Sequence, residues 1–371
     1  MATYDDRCQA LAVTLAANVP VILWGAPGVG KTSVVEQIAH HHGWHLETVI
    51  ASISDPTDFK GMPREHEGRT AFSPPEWAVA IERNGGGVVF LDEISTAPPS
   101  VQAALLRPVL SRVVGDLALP AQTRFVAAAN PPEIAADGWD LSAPLANRFV
   151  HLTWEVPASV VSDGLIFGFA PVEVPSVDEA AVDALVEDAA MRVGAFLRAR
   201  PELAHRMPTA TADQGVAWPS PRSWETAARV AAHARAARVT AGAELMLLSG
   251  AVGAPAAREF LTWERNLDLP DIEKALGDGG VLELPETPDR IVAVCGSLVA
   301  AVVSDPSRDR CEAAVNGVLV AVCRAGHTDL ATVALRRMAE SVRQSKAVLS
   351  PEATGFFADL LARMGKFRRA A

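Results

Sequence analysis

The sequence predicts an α/β protein: a parallel five-stranded sheet with helices on both faces, followed by a region built of helices alone. Three observations carry that expectation. The glycine-rich GAPGVGKT, residues 25–32, stands between the apolar run Val19 to Trp24 and the helix-like stretch Ser33 to His40. A second apolar run, Val88 to Ile94 (VVFLDEI), ends in two carboxylates, as a strand buried on both faces does when it emerges at the sheet edge. Beyond Pro157 strand patterns give way to Ala-rich helical periodicity.

Taken in order, Tyr4 to Ala17 has helical spacing, with Leu11 and Leu15 one turn apart, and Val19 to Trp24 is the first strand. The loop that follows has the G-x-x-x-x-G-K-[ST] pattern in strand–turn–helix context. Its glycines let successive backbone N–H groups curl around phosphate oxygens, and the helix N-terminus adds partial positive charge. Gly25, Ala26, Pro27, Gly28, Val29, Gly30, Lys31, Thr32 and Ser33 form the expected nucleotide cradle. Lys31 reaches the β- and γ-phosphates in this reading, and the Thr32 hydroxyl holds Mg2+.

Leu46 to Ser52 alternates as a second strand does. The four histidines before it, His40, His41, His42 and His45, have no Cys or carboxylate at ligand spacing, and Gly43 reads as a helix C-terminus rather than part of a metal site. Asp55 to Pro75 is long for a plain connection: either a short hairpin turns at Glu67-Gly68, or the segment is a surface loop. Trp77 to Arg83 is a short helix. At the end of Val88 to Ile94, Asp92 emerges beside the phosphates to hold Mg2+, and Glu93 orients and deprotonates the attacking water; a surface acidic pair is the other reading.

Ala97 to Val113 is a helix that Pro108 should kink or end, and Arg112 to Arg124 is a hairpin or β-turn excursion around Gly115-Asp116. Phe125 to Ala129 is a core strand with Asn130 at its end, placed either to hydrogen-bond the γ-phosphate or the attacking water, or to cap the loop before Pro131. Leu141 to Arg148 is a short helix and Phe149 to Thr153 the fifth strand. Arg148 either reaches a neighbouring subunit's γ-phosphate or makes an internal salt bridge. Further on, Ser176 and Glu179 have capping-box spacing, Thr211 to Gly215 is a loop, and Ser220-Pro221 opens a helix with Arg222 in its first turn. A cation is disfavoured there, so Arg222 should face an anion outside its own helix. Helices are also expected over Gly242 to Gly250 and Pro255 to Trp263, with further starts at Thr287-Pro288, Asp305-Pro306 and Ser350-Pro351.

The 371 residues, 49% hydrophobic and 21% charged, have the composition of a soluble protein of two or three compact units. A formal charge of −11 argues against a large nucleic-acid footprint, and the basic tail Lys366, Arg368, Arg369 reads as a solvated helix end. Cys8, Cys295, Cys311 and Cys323 are scattered like reduced thiols of a cytoplasmic protein. Asp5 and Asp6 occupy the place where a signal peptide carries positive charge, and Ile291 to Val303 is too short to span a bilayer, so no membrane segment is expected.

From Val19 to about Trp224 these pieces resemble the AAA+ ATPases, and within them the MoxR-like branch that also holds magnesium-chelatase motor subunits and dynein- and midasin-type modules. The resemblance rests on GAPGVGKT, DPTDFKGMP, SPPEWA, VVFLDEISTAPPSVQAALL, FVAAANPPE, LANRF and SPRSWE, in that order. It implies a nucleotide-binding domain over residues 1–156 and a helical lid over 157–284, while the C-terminal helical extension over 285–371 matches nothing in the family and is expected as a docking element. It implies ATP and Mg2+ as ligands, with Thr32 and Asp92 at the metal and Lys31, Glu93, Asn130, Arg148 and Arg222 as the catalytic set. Arg148 resembles the arginine finger acting on a neighbour's nucleotide, and Arg222 the second sensor. Asp55 to Phe72 and Arg112 to Arg124 resemble the branch's helix-2 insertion and pre-sensor hairpin.

The branch usually has Asp before the finger arginine, where this chain has Asn147, and ends its acidic strand Ala-Asp-Glu, where this chain has Leu91-Asp92-Glu93. The resemblance further implies an ATPase acting as a homo-oligomeric, hexameric ring, a chaperone or remodelling motor on a protein target with a von Willebrand factor A-domain partner. Its alternatives are a motor subunit of a metal-chelatase-like complex and a nucleic-acid-acting NTPase.

Overall fold

The computed structural model describes residues 3–131, 139–364 and 368–369. Pro132 and Glu133 of the FVAAANPPE run and Lys366 of the basic tail lie outside the described residues. The Cα positions cluster into two units, one of Met1–Val177 with Ala204–Arg258, the other of Asp178–Leu203 with Glu259–Ala371.

The first unit is built on five parallel strands: β1 (Val21–Trp24), β2 (Leu46–Ile50), β5 (Gly87–Asp92), β8 (Thr123–Ala129) and β9 (Val150–Thr153), in the spatial order β2-β5-β8-β1-β9. The numbering gap is filled by two antiparallel hairpins, β3 (Met62–His66) with β4 (Arg69–Ser73), and β6 (Val113–Val114) with β7 (Leu117–Ala118). Both alternating sets of the central strands are buried: Ile22, Val89, Leu91 and Phe125 on one face, Val21, Leu23, Phe90 and Val126 on the other. Two covered faces explain why these strands read as continuous apolar runs. The chain leaves β1 for β2, returns through β5 and β8, and then crosses β1 to place β9. The order therefore reverses beside β1, and the C-terminal edge there is where such sheets bind ligands.

The hairpin expected at Glu67-Gly68 forms, with φ of 53° and 72° at the two turn residues, as a type I′ turn requires. The second hairpin turns at Gly115-Asp116 and is tied to the first, since the Phe72 N–H donates to Asp116 Oδ2 at 2.8 Å and the Asp116 N–H donates to the Phe72 carbonyl at 3.1 Å.

Several local expectations are corrected. Of the two outcomes expected at Pro108, the helix does not end there: Pro99–Ser111 runs through Pro108 and stops only at Arg112, which takes φ 51°. The missing N–H of Pro108 removes one intrahelical bond, and the buried packing of Val101, Leu105 and Val109 keeps the helix on the sheet. Ser176 caps nothing: helix Glu179–Ala199 starts at Glu179 itself, so Glu179 is one residue past Asp178 rather than three past a cap. Asp305 closes helix Pro288–Ser304, and the next helix, Arg308–Glu312, starts after Ser307. Thr211–Gln214 is a short helix instead of a loop. The Ser220-Pro221 and Ser350-Pro351 starts form as expected, each serine accepting an N–H from the first helical turn.

The second unit is helical. Helix Glu179–Ala199, which falls inside the 157–284 span of the sequence reading, packs here along helix Pro288–Ser304. The approach is close enough that a Cβ on Gly296 would come within 2.9 Å of that of Met191. Arg192, held by Asp188 of its own helix at 2.7 Å, fastens the pair through Ser297 at 2.8 Å. The four cysteines are free and buried, and no helix among the described residues is long and apolar enough to cross a membrane.

Candidate nucleotide site

The glycine-rich loop leaves β1 at the reversal point. The Gly25 N–H donates to the Ala129 carbonyl at 3.1 Å, and a Cβ on Gly25 would lie 2.4 Å from the Trp154 carbonyl oxygen, so only glycine fits between β1 and the chain after β9. Gly28 and Gly30 take φ of 78°, and Gly30 is the N-cap of helix Lys31–His42. The N–H groups of Lys31, Thr32 and Ser33 stand in the first turn, where no intrahelical acceptor exists. An anion at that turn satisfies them and the helix dipole together.

Lys31 lies across the loop. Its Nζ donates to the carbonyls of Gly25 at 2.6 Å and Ala26 at 3.0 Å and is 3.5 Å from Asn130 Oδ1. Burial lowers its pKa, and the nearby Asp92 carboxylate opposes that shift. The structure thus gathers the loop, Lys31, Asp92 and Asn130 at the C-terminal edges of three neighbouring strands.

Asp92 ends β5, and its Oδ1 accepts the Glu93 N–H at 2.9 Å, leaving its other oxygen available to a ligand. Glu93 takes φ 54°, an uncommon conformation for a non-glycine residue that turns the chain off the strand direction. Its carboxylate accepts a 2.5 Å hydrogen bond from the Ser52 hydroxyl, just past β2. Two positions that sequence reasoning missed thus shape the site. Ser52 had no local signal. Ser95, buried two residues after Glu93, accepts the Asn130 N–H at 3.1 Å and fixes where that amide stands.

Thr32 and Asp92 offer one hydroxyl and one carboxylate, an all-oxygen set suited to Mg2+ when phosphates and waters complete the octahedron. No group of three His, Cys, Asp or Glu able to hold a metal exists among the described residues, so a metal here depends on such outside ligands. Of the four histidines, His45 bonds Glu47 at 2.7 Å, and His42 stacks on Trp44 at the end of the helix that Gly43 closes.

Arg148 and Arg222 are not joined to this cluster by any hydrogen bond or ion pair among the described residues. The Arg148 guanidinium donates to the Pro144 carbonyl, and its Nε is buried with no acceptor. Its pKa is lowered, first by burial and then by the charge of Arg222, so the two cations lie within each other's field. The internal salt bridge considered for Arg148 is absent among the described residues. Ser220, the N-cap of helix Pro221–Ala236, donates its hydroxyl to Asn147 Oδ1 at 2.9 Å, joining the residue before Arg148 to the helix that carries Arg222.

A glycine-rich phosphate loop at the reversal point of a five-stranded parallel sheet, with an acidic strand end and a polar residue on the strand between, defines an α/β nucleotide-binding domain. Residues 20–149 match the AAA domain of the dynein-related subfamily, and this part of the chain is similar to MoxR-like AAA+ ATPases. Chaperone MoxR1 of Mycobacterium tuberculosis is 29% identical over 150 residues, 39% of this chain and 38% of that protein. The Psp operon transcriptional activator of Escherichia coli K12 is 40% identical over 159 residues, 37% of this chain and 45% of that protein. The chain spans less than half the length of these curated relatives. A crystal structure from Cytophaga hutchinsonii, described as that of a candidate ATPase, is 17% identical and superposes over 70% of this chain and 88% of its own with a TM-score of 0.41.

Proposed function

We propose that the chain is an ATP-hydrolysing remodelling motor of MoxR type whose active site is completed by a second copy of itself. The observation that carries this reading is the division of charged groups. Lys31, Asp92 and Asn130 converge on the phosphate loop with Glu93 following Asp92 in the chain, whereas Arg148 and Arg222 lie in each other's field with no carboxylate partner among the described residues. A cationic pair without a counter-charge suits the triphosphate of an adjacent subunit.

In this mechanism the loop amides and Lys31 bind the phosphates, and Thr32 with Asp92 would hold Mg2+, which would supply positive charge against the phosphates when bound. Glu93 takes the proton of the attacking water, and Asn130 orients that water or the γ-phosphate. Arg148 of the neighbour stabilises the charge that develops, while Arg222 couples the site to the following helices. The working assembly is a closed ring, hexameric in this reading, that acts in the cytoplasm on a protein target with a von Willebrand factor A-domain partner.

The test is Glu93→Gln. Turnover should fall by about 100-fold or more while Mg·ATP still binds, because only the general base is lost. Light scattering should show assembled rings with ATP and Mg2+. Undiminished turnover in Glu93→Gln, or a monomer under those conditions, would sink the proposal. The similarity to a transcriptional activator favours a nucleic-acid-linked motor as the second reading. Salt-dependent DNA binding near physiological ionic strength would support it, against the direction set by the net charge of −11.

A further inference from the structure

The contact between Asn147 and Ser220 spans 73 residues of sequence and joins two structures that each carry one of the two arginines without a carboxylate partner among the described residues. Asn147 closes the short helix Ala143–Ala146, its own N–H donating to the Ala143 carbonyl at 3.1 Å, and Arg148 follows directly. Ser220 is committed to its helix through a reciprocal box: its Oγ accepts the Ser223 N–H at 3.1 Å, and its N–H donates to Ser223 Oγ at 2.8 Å. The one remaining hydrogen of Ser220, on its hydroxyl, goes to Asn147.

On the other side, Asn147 Nδ2 and Arg148 Nε are both buried with no acceptor. Orphaned buried donors are rare and call for an explanation, and here two stand on consecutive residues at the start of the segment that carries Arg148. An aspartate at 147 would stand next to Arg148 and offer the cations a local counter-charge in place of an external one.

We propose that Asn147 is a positioning residue for Arg148 and Arg222: its side chain latches the finger loop to the first turn of the following helix, so that the two guanidiniums meet one polyphosphate as a unit. This rests on the proposed supply of the arginines to an adjacent subunit's ATP. Asn147 touches no reacting atom in this scheme. Its contribution is to make the placement of Arg148 depend on the helix of Arg222.

The experiment uses the full chain and compares Asn147→Ala, Ser220→Ala, the double variant and Arg148→Ala. Each is assayed alone and mixed with Glu93→Gln, whose own site is inactive but whose arginines are intact. Asn147→Ala should lower kcat about tenfold while its affinity for a fluorescent ATP analogue and its melting temperature stay near the parent's. The double variant should be no worse than the poorer single one, since both break the same contact.

Mixing should restore turnover to Asn147→Ala subunits, because an intact neighbour supplies the arginines. A residue needed only for its own chain's fold or binding would not be rescued. If Arg148→Ala is rescued by mixing but Asn147→Ala keeps full kcat, or loses it without rescue, the latch is overturned and the shared-site reading stands. If Arg148→Ala itself is not rescued, the shared-site reading fails and the latch falls with it.

Discussion

The Ser52 hydroxyl donates a 2.5 Å hydrogen bond to the Glu93 carboxylate, from just past β2 to the acid that follows β5. These strands are neighbours, with Ile50 paired to Asp92, so the contact is set by strand register. A carboxylate that accepts a hydroxyl hydrogen is held away from free rotation and has one oxygen less to offer a water. Ser52→Ala should release it and raise basal ATP turnover by up to about tenfold without changing nucleotide affinity. Steady-state kinetics on the purified variant checks this, and an unchanged or lower kcat would remove Ser52 from control of Glu93.

Gly25 has a different vulnerability. A methyl group there would lie 2.4 Å from the Trp154 backbone oxygen, which cannot swing away as a side-chain tip could. Gly25→Ala should destabilise the first unit by about 1–3 kcal/mol through overpacking and should weaken ATP binding, because the loop must shift at its root. Thermal unfolding with and without Mg·ATP measures both effects: a lower melting temperature and a smaller stabilisation by ligand.

His151 ties the base of the phosphate loop to the end of helix Ala143–Ala146, two residues before Arg148. Trp24 Nε1–H donates to its Nδ1 at 2.9 Å, which leaves Nε2–H to donate to the Ala146 carbonyl at 2.9 Å. Desolvation pushes its pKa down to about 4, partly opposed by the bond to Ala146. The native state therefore binds the proton less readily than the unfolded chain does. Stability is at its full value above the unfolded histidine's pKa and falls as pH drops from about 6.5 toward about 4, a loss of about 3 kcal/mol. Urea titrations across that window should show the decline, and His151→Gln should flatten it.

Asp116 links the two hairpins, accepting the Phe72 N–H with its carboxylate while its own N–H donates to the Phe72 carbonyl. Asp116→Ala removes one of these two bonds. Hydrogen exchange at the Phe72 amide should quicken about tenfold, with the five-stranded sheet unaffected. Equal protection in both proteins would show that the backbone contact alone holds the hairpins together.

What the sequence determined by itself was whatever depends on near neighbours. The glycines of GAPGVGKT, the turn residues Glu67-Gly68 and Gly115-Asp116, and the serine–proline starts at 220 and 350 act through conformational limits of a few residues, and the structure realises each of them. The apolar runs before Asp92 and Asn130 likewise announced strands buried on both faces. Local pattern misled where two starts compete, as at Ser176 against Asp178 and at Asp305 against Ser307. Only the tertiary structure could decide which distant groups meet. Ser52 finds Glu93 across 41 residues, His151 finds Trp24 across 127, and Asn147 finds Ser220 across 73. The strand order β2-β5-β8-β1-β9 and the packing of helix Pro221–Ala236 bring these groups together. Those separations follow from how buried faces pair over the whole chain, and no short-range preference of a serine, a histidine or an asparagine encodes them.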